Sequence, residues 1–367
     1  MNPSQVAALD ILTPAQRELV ASLRRELQDE EKTDVFRLDM TDVESAQLVK
    51  SCRLRQKEMA DEAFESPKNV VILDEKGRVI LVYKPNYLPD SVLRSAEAAI
   101  ETLLENVELK LPRDDDRRSD LDRRCLVDKY GDGKFGVLYC SCWMEQGKVD
   151  KGPLVCREMS DGATHFSNCC IFVSDMERTK EKLSLLYAAA DPVRWRQCVD
   201  IFGALRGLRP GARVLTTSKI DPWTSLALVA NVPTDVHRDA NDARHMLSGI
   251  ASSGAFPRSW LVVHSGGFKM RIKPEHGILL NTHVLAHFAS SEEGETMELE
   301  GDGEDEAMGS ELDRTGEAEG SKSNRREWIA DEVRRAHGQY ILSFFNHQSV
   351  QDWVRAKVES SEPRQTR

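Results

Sequence analysis

The stretch VHRDAND at residues 236–242, taken together with SWLVVHSGGFKMRIKPEHGILLNTHVLAHF at 259–288, specifies the architecture. In an extended chain residues i and i+2 point to the same side. His237 and Asp239 therefore present an imidazole and a carboxylate in one direction. The longer stretch breaks into short branched and aromatic runs closed by Gly, Pro or Asn, with Ser265-Gly266-Gly267 as a hairpin turn. WTSLALVAN (223–231) runs into the motif, HMLSGIAS (245–252) leaves it, and GQYILSFFNHQS (338–349) follows an insertion. Such a series of short strands points to an antiparallel barrel or jelly roll.

A second imidazole, His287, closes an apolar run some fifty residues after the motif. Two His and one carboxylate on one face leave coordination positions open, which is how non-haem Fe(II) is held for work on dioxygen. His283 is four residues earlier, and in an extended segment it shares a face with Leu285 and His287. Periodicity thus leaves both as third ligands. His245, His264, His276 and His337 are read as surface or satisfied structural residues, and His347 alone is a strand-end residue.

Upstream, Thr13-Pro14-Ala15-Gln16 forms a capping box with Pro at the first helical position. Leu19, Val20, Leu23 and Leu27 continue it at helical spacing. Further helices are expected over 42–64, 91–107, 176–190 and 193–207, with a short amphipathic one at 349–360. Residues 69–73 and 78–84, joined by DEKG, read as a β-hairpin, 109–132 as a charged connector, and 134–173 as strand-like. The expected organisation is α+β: a helical region over 1–66, then a β-rich domain over 67–358, then a frayed tail over 359–367. No internal repeat and no phosphate-binding Gly-rich loop occurs.

The net charge of −11 looks hostile to nucleic acid, but nearly all of it is confined to one segment. Residues 291–320 hold thirteen Asp or Glu and one Arg, and without them 48 acids face 49 bases. The body is nearly neutral. The acidic segment, extending to about 325, reads as a disordered insertion between strands. No run of 18 apolar residues exists, so no membrane partner is expected. The start lacks a basic region followed by a long apolar one, giving an intracellular expectation in which the eight Cys are reduced. Five of those Cys, with His165, fall between 140 and 170, yet paired CxxC spacing is absent.

With these residues in view, the chain resembles the TET/JBP family of nucleic-acid-base dioxygenases, in its compact fungal and protist form. The resemblance rests on VHRDAND, on the stretch from Gly266-Gly267 through KPEHGILL to His287, and on YILSFFNHQS. It covers about residues 220–350, with weaker echoes in ILDEKGRVILVYKP (72–85) and KFGVLYCSCW (134–143). It implies a distorted double-stranded β-helix core with the N-terminal helices and the hairpin packed against it. It further implies that His237, Asp239 and His287 hold Fe(II), and that Asp242 and His347 read the edge of a flipped base. The implied reaction is oxidation of the methyl group of 5-methylcytosine or thymine in DNA, with 2-oxoglutarate as co-substrate, in the nucleus.

One position departs from the family. Where the family anchors 2-oxoglutarate with an Arg, this chain has Gln339, eight residues before His347. Gln offers a neutral donor in place of a bidentate charged pair, a loss of roughly 2–3 kcal/mol. Arg334, Arg335, Lys269 and Arg271 are the candidate substitutes. Otherwise another reductant such as ascorbate, or a different oxo acid, serves in place of 2-oxoglutarate, or the site binds metal without turnover. An iron oxygenase acting on a small molecule or a protein side chain is the remaining alternative.

Overall fold

Period-two alternation along the strands decides which side chains lie between two sheets and which meet the helices. The computed structural model describes residues 1–38, 63–111, 123–131, 133–145, 151–215, 218–232, 234–254, 259–291 and 338–361. The acidic insertion, Arg334, Arg335, the last six residues and nearly all of the helix expected over 42–64 lie outside them.

The chain opens with α1 (Pro3–Ala8) and α2 (Pro14–Leu27), then β1 (Thr33–Leu38), β2 (Phe64–Glu65), β3 (Asn69–Asp74) and β4 (Val79–Lys84). Next come α3 (Asp90–Asn106), α4 (Arg123–Tyr130), β5 (Gly136–Trp143) and β6 (Leu154–Val155). Helices α5 (Ala163–Asp175), α6 (Glu177–Ala190) and α7 (Pro192–Leu208) follow. The last third holds β7 (Ser225–Ala230), β8 (Ser248–Gly254), β9 (Ser259–Val263) and β10 (Phe268–Arg271). It closes with β11 (Gly277–Leu280), β12 (His287–Ser291), β13 (Gln339–Phe345) and α8 (Gln348–Ser361).

The large sheet has the order β1-β3-β4-β11-β8-β13-β7-β5-β6, and the small one β12-β9-β10-β2. On β13, Leu342 and Phe344 join the core that holds Trp195, Phe202 and Leu186 from the helices. Ile341, Ser343 and Phe345, one residue out of phase, line a cavity on the other face. Val70, Ile72, Leu81 and Ile278 of the large sheet pack on Leu261, Val263 and Met270 of the small one. One face of the large sheet thus carries helices and the other carries a second sheet, a mixed α+β arrangement. The helical layer sits close: a Cβ at Gly249 would lie 3.3 Å from Leu183 of α6.

Several local expectations change. The expected hairpin is not merely packed against the sheet: β4 hydrogen-bonds to β11 and so extends it. β1 falls within the region read as helical and pairs in parallel with β3, and β2 pairs in parallel with β10. The stretch 134–173, read as strand-like, contains α5. There Cys169, Phe172, Val173 and Met176 are buried at helical spacing, so packing of that face outweighs the β-branched and aromatic composition. α4 lies in the charged connector. The capping box at α2 is formed, with Thr13 Oγ1 accepting from Gln16 N and Gln16 Oε1 accepting from Thr13 N.

Behind the sheet, Lys180 on α6 is 4% exposed and ion-paired with Asp221, 1% exposed, while its Nζ also donates to Leu215 O at 2.8 Å. Lys180→Met should cost about 3–5 kcal/mol because it strands a buried carboxylate. Removing both charges in Lys180→Met/Asp221→Leu should recover most of that in denaturant unfolding. Burial also holds His264 and His276 below their ordinary 6.5. The unfolded chain then binds more protons below pH 6.5 or so, and stability should fall as pH drops through that value. Denaturant midpoints compared at about pH 7.5 and 5.5 check the sign.

Candidate metal centre

Two backbone hydrogen bonds build the centre. His237 N–H donates to His287 O at 3.0 Å and His287 N–H donates back to His237 O at 3.0 Å. This reciprocal antiparallel bridge sets two distant imidazoles side by side, ring centroids 4.4 Å apart. Asp239 N–H donates to Thr282 O at 2.9 Å, fixing the carboxylate's backbone to the turn between β11 and β12. Asp239 Oδ1 lies 3.8 Å from His237 Nε2 and Oδ2 lies 3.9 Å from His287 Nε2. One ligand atom from each of the three falls within 4.8 Å of the others. Two metal–ligand bonds of about 2.1 Å span up to about 4.2 Å, so the carboxylate and either imidazole are within reach of one ion.

The tautomers agree with that reading. His237 Nδ1 is 2.8 Å from Asp235 O, and His287 Nδ1 is 2.9 Å from Leu285 O. A carbonyl only accepts, so each Nδ1 carries the proton and each Nε2 keeps its lone pair. Both carbonyls come from the residue two before the histidine. The donor set therefore fits a divalent ion with two neutral imidazoles and one carboxylate. His283 does not belong to the group.

A second bridge adds polar groups beside the three. Asp242 pairs with His347, flanked by Ala243 N–H to Asn346 O at 2.7 Å and Gln348 N–H to Asn241 O at 3.0 Å. The Asn346 side chain is buried and ties this corner to the start of β7, accepting from Thr224 N and donating to Pro222 O. Asp242 is 6% exposed, and its Oδ2 accepts from Thr282 Oγ1 at 2.6 Å and Ser248 Oγ at 3.3 Å. His347 Nε2 is buried with no hydrogen-bond partner among the described residues. Burial, the largest influence, lowers its pKa and keeps the ring neutral. Phe345 meets this ring edge-on at 5.2 Å, and Trp143 lies 5.9 Å away. Asp242, His347 and the three converging residues all line one cavity of about 590 Å³ between the sheets.

The other candidates lie elsewhere. Gln339 starts β13, its N–H donating to Asn231 Oδ1 and its carbonyl accepting from Asn231 N–H, and does not line the cavity. Arg271 donates to Glu65 Oε1 at 2.9 Å and stacks 4.6 Å from the Trp260 centroid, with Lys269 at 5.4 Å over the same ring. Neither lines the cavity. Trp143 and Lys273, not singled out from sequence, are among the residues that do, and so is His276, read there as a surface or structural residue. Alternation along KFGVLYCSCW would have put Trp143 beside Tyr139, whereas Lys273 follows the end of β10 and has no periodic signal. Among the described residues the thiols form no metal group. Cys140, Cys142, Cys156, Cys169 and Cys198 are buried and free, and burial pushes Cys142 up to about 12.

No protein-family model matches the chain, and no curated protein matches it. Among solved structures it is similar to one described as NgTET1 in complex with 5mC DNA, at TM-score 0.50 and 11% sequence identity. The match covers 96% of this chain and 100% of that one. At that identity the likeness bears on the fold, and the arrangement of large sheet and helices is TET-like.

Proposed function

We propose that the protein is an Fe(II)-dependent dioxygenase that oxidises the methyl group of 5-methylcytosine or thymine in DNA, with 2-oxoglutarate as co-substrate and ascorbate as support. In this reading the two sheets form a distorted double-stranded β-helix over about 67–358, and the enzyme acts in the nucleus. The observation that carries it is the convergence of His237, Asp239 and His287, each Nδ1 turned to a backbone carbonyl, at a cavity that Asp242 and His347 also line. The TET-like fold supports it, because the neighbouring structure is described with 5mC DNA.

Iron with an oxo acid, when bound, supplies dioxygen activation for attack on a C–H bond. The chain's own residues do the rest. His237, Asp239 and His287 would hold the ion. Asp242, oriented by Thr282 and Ser248, accepts a hydrogen bond from the exocyclic amine of a flipped cytosine. His347 Nε2 completes the edge contact that it otherwise lacks. The Phe345 and Trp143 rings flank the base, and the aliphatic wall excludes water. A second reading, a metal-binding module without turnover, is favoured by the absence of Gln339 from the cavity.

Incubating the protein with iron(II), ascorbate, 2-oxoglutarate and methylated DNA should yield a hydroxymethyl or more oxidised nucleoside by mass. Metal binding without any oxidised base would leave the module reading in its place. His287→Ala should weaken metal binding by at least about a hundredfold. Asp242→Asn should leave metal binding intact and lower turnover on methylated DNA about ten- to a hundredfold.

A further inference from the structure

The cavity has a metal end and a far end, and the strand registers measure the distance between them. On β13, Ser343 pairs with Ile250 of β8 and Ala227 of β7. One step further from the metal end, Ile341 pairs with Ser252 and Val229, and all three line the cavity. Gln339 comes next, opposite Gly254, and falls outside. On the small sheet His287 pairs with Val263 and Ser291 with Ser259, whose carbonyl accepts from Ile272 N–H at 2.9 Å. Ile272 therefore stands about 13 Å along the strand from His287, and Lys273 is the next residue beyond it. The long flexible stem of Lys273 can bring its ammonium back toward the metal.

Between the two ends the wall is largely aliphatic, through Val229, Leu261, Ile272, Ile278 and Ile341. A carboxylate entering that space loses its water and needs a partner. The lining side chains include one Arg and one Lys, Arg238 and Lys273. Arg238 sits between two of the converging residues, at the metal end. His276, beside Lys273, is held neutral by burial, and its Nδ1 contacts Tyr83 OH at 2.8 Å and Arg271 O at 3.0 Å. The ammonium of Lys273 lies 3.8 Å from Glu275 with half of its side chain exposed, a pairing weak enough to exchange. Arg271 is already committed to Glu65 and Trp260.

We propose that Lys273 is the counter-ion for the distal carboxylate of a dicarboxylic oxo acid whose keto-acid end lies at the metal. The co-substrate would then be gripped from the connection between β10 and β11, with β13 supplying only the Ser343 hydroxyl on the way. This assignment rests on the oxygenase reading and concerns only how that site holds its co-substrate.

The test compares 2-oxoglutarate with 2-oxopentanoate, which has a methyl in place of the distal carboxylate. Binding of each to the iron(II)-loaded full chain is measured by calorimetry without oxygen. Wild type should prefer 2-oxoglutarate by at least about tenfold. Lys273→Met should bring the ratio near one while leaving 2-oxopentanoate affinity unchanged, a pattern that a misfolded variant would not show. Lys273→Arg should keep most of the preference. A preference that survives Lys273→Met overturns the assignment, as does one lost instead in Arg334→Ala/Arg335→Ala. Wild type that binds both acids equally, or neither, also overturns it and leaves the metal centre standing. Failure to bind iron removes the oxygenase reading and the assignment together.

Discussion

The reciprocal pair of hydrogen bonds between His237 and His287 is the constraint that holds the site together. It is made by main-chain atoms, so it fixes two imidazoles without asking anything of their side chains. Each ring is then turned by the carbonyl two residues before it, which leaves one rotation and one tautomer. A carboxylate two positions along from His237 completes the group. Pre-orientation of this kind matters because ligands that need no rearrangement lose little entropy when an ion arrives.

The corner formed by Asp242, His347 and Asn346 answers a different problem. A buried carboxylate is costly unless its lone pairs are met, and Thr282 and Ser248 meet one oxygen of Asp242 from two neighbouring elements. Thr282 also contributes the carbonyl that fixes Asp239. The same residue therefore sets the carboxylate of the metal group by its backbone and the polar edge of the cavity by its hydroxyl. Any shift of the turn between β11 and β12 would move both at once. This shared support couples the three converging residues to the polar edge of the cavity.

Much of this was legible in the sequence because it follows from short-range rules. The i, i+2 relation within VHRDAND, the turn at Ser265-Gly266-Gly267 and the capping box at Thr13 each need only a few residues to specify. What escaped needed tertiary context. Helix α5 carries aromatic and β-branched residues that suit a strand, and only its packing against the core decides for helix. Periodicity could not separate His283 from His287, because backbone pairing with His237, made across fifty residues, selects the second. Arg271 and Lys273 are two residues apart and chemically alike, yet the end of β10 between them sends one to Trp260 and the other to the cavity.

That last separation bears on how such a cavity can change its ligand contacts without losing its fold. β13 lies in the middle of the large sheet, hydrogen-bonded on both sides, with Leu342 and Phe344 locked into the helical core. A long cation on that strand must fit between fixed neighbours, so its loss cannot be repaired locally. The connection after β10 has no such partners on both sides, and Lys273 there is half exposed. A charge placed on it adds little strain to the packed sheets and still lines the cavity. The paired strands hold the cavity wall, and the less constrained connection after β10 is where a charge lining it can be placed at least cost.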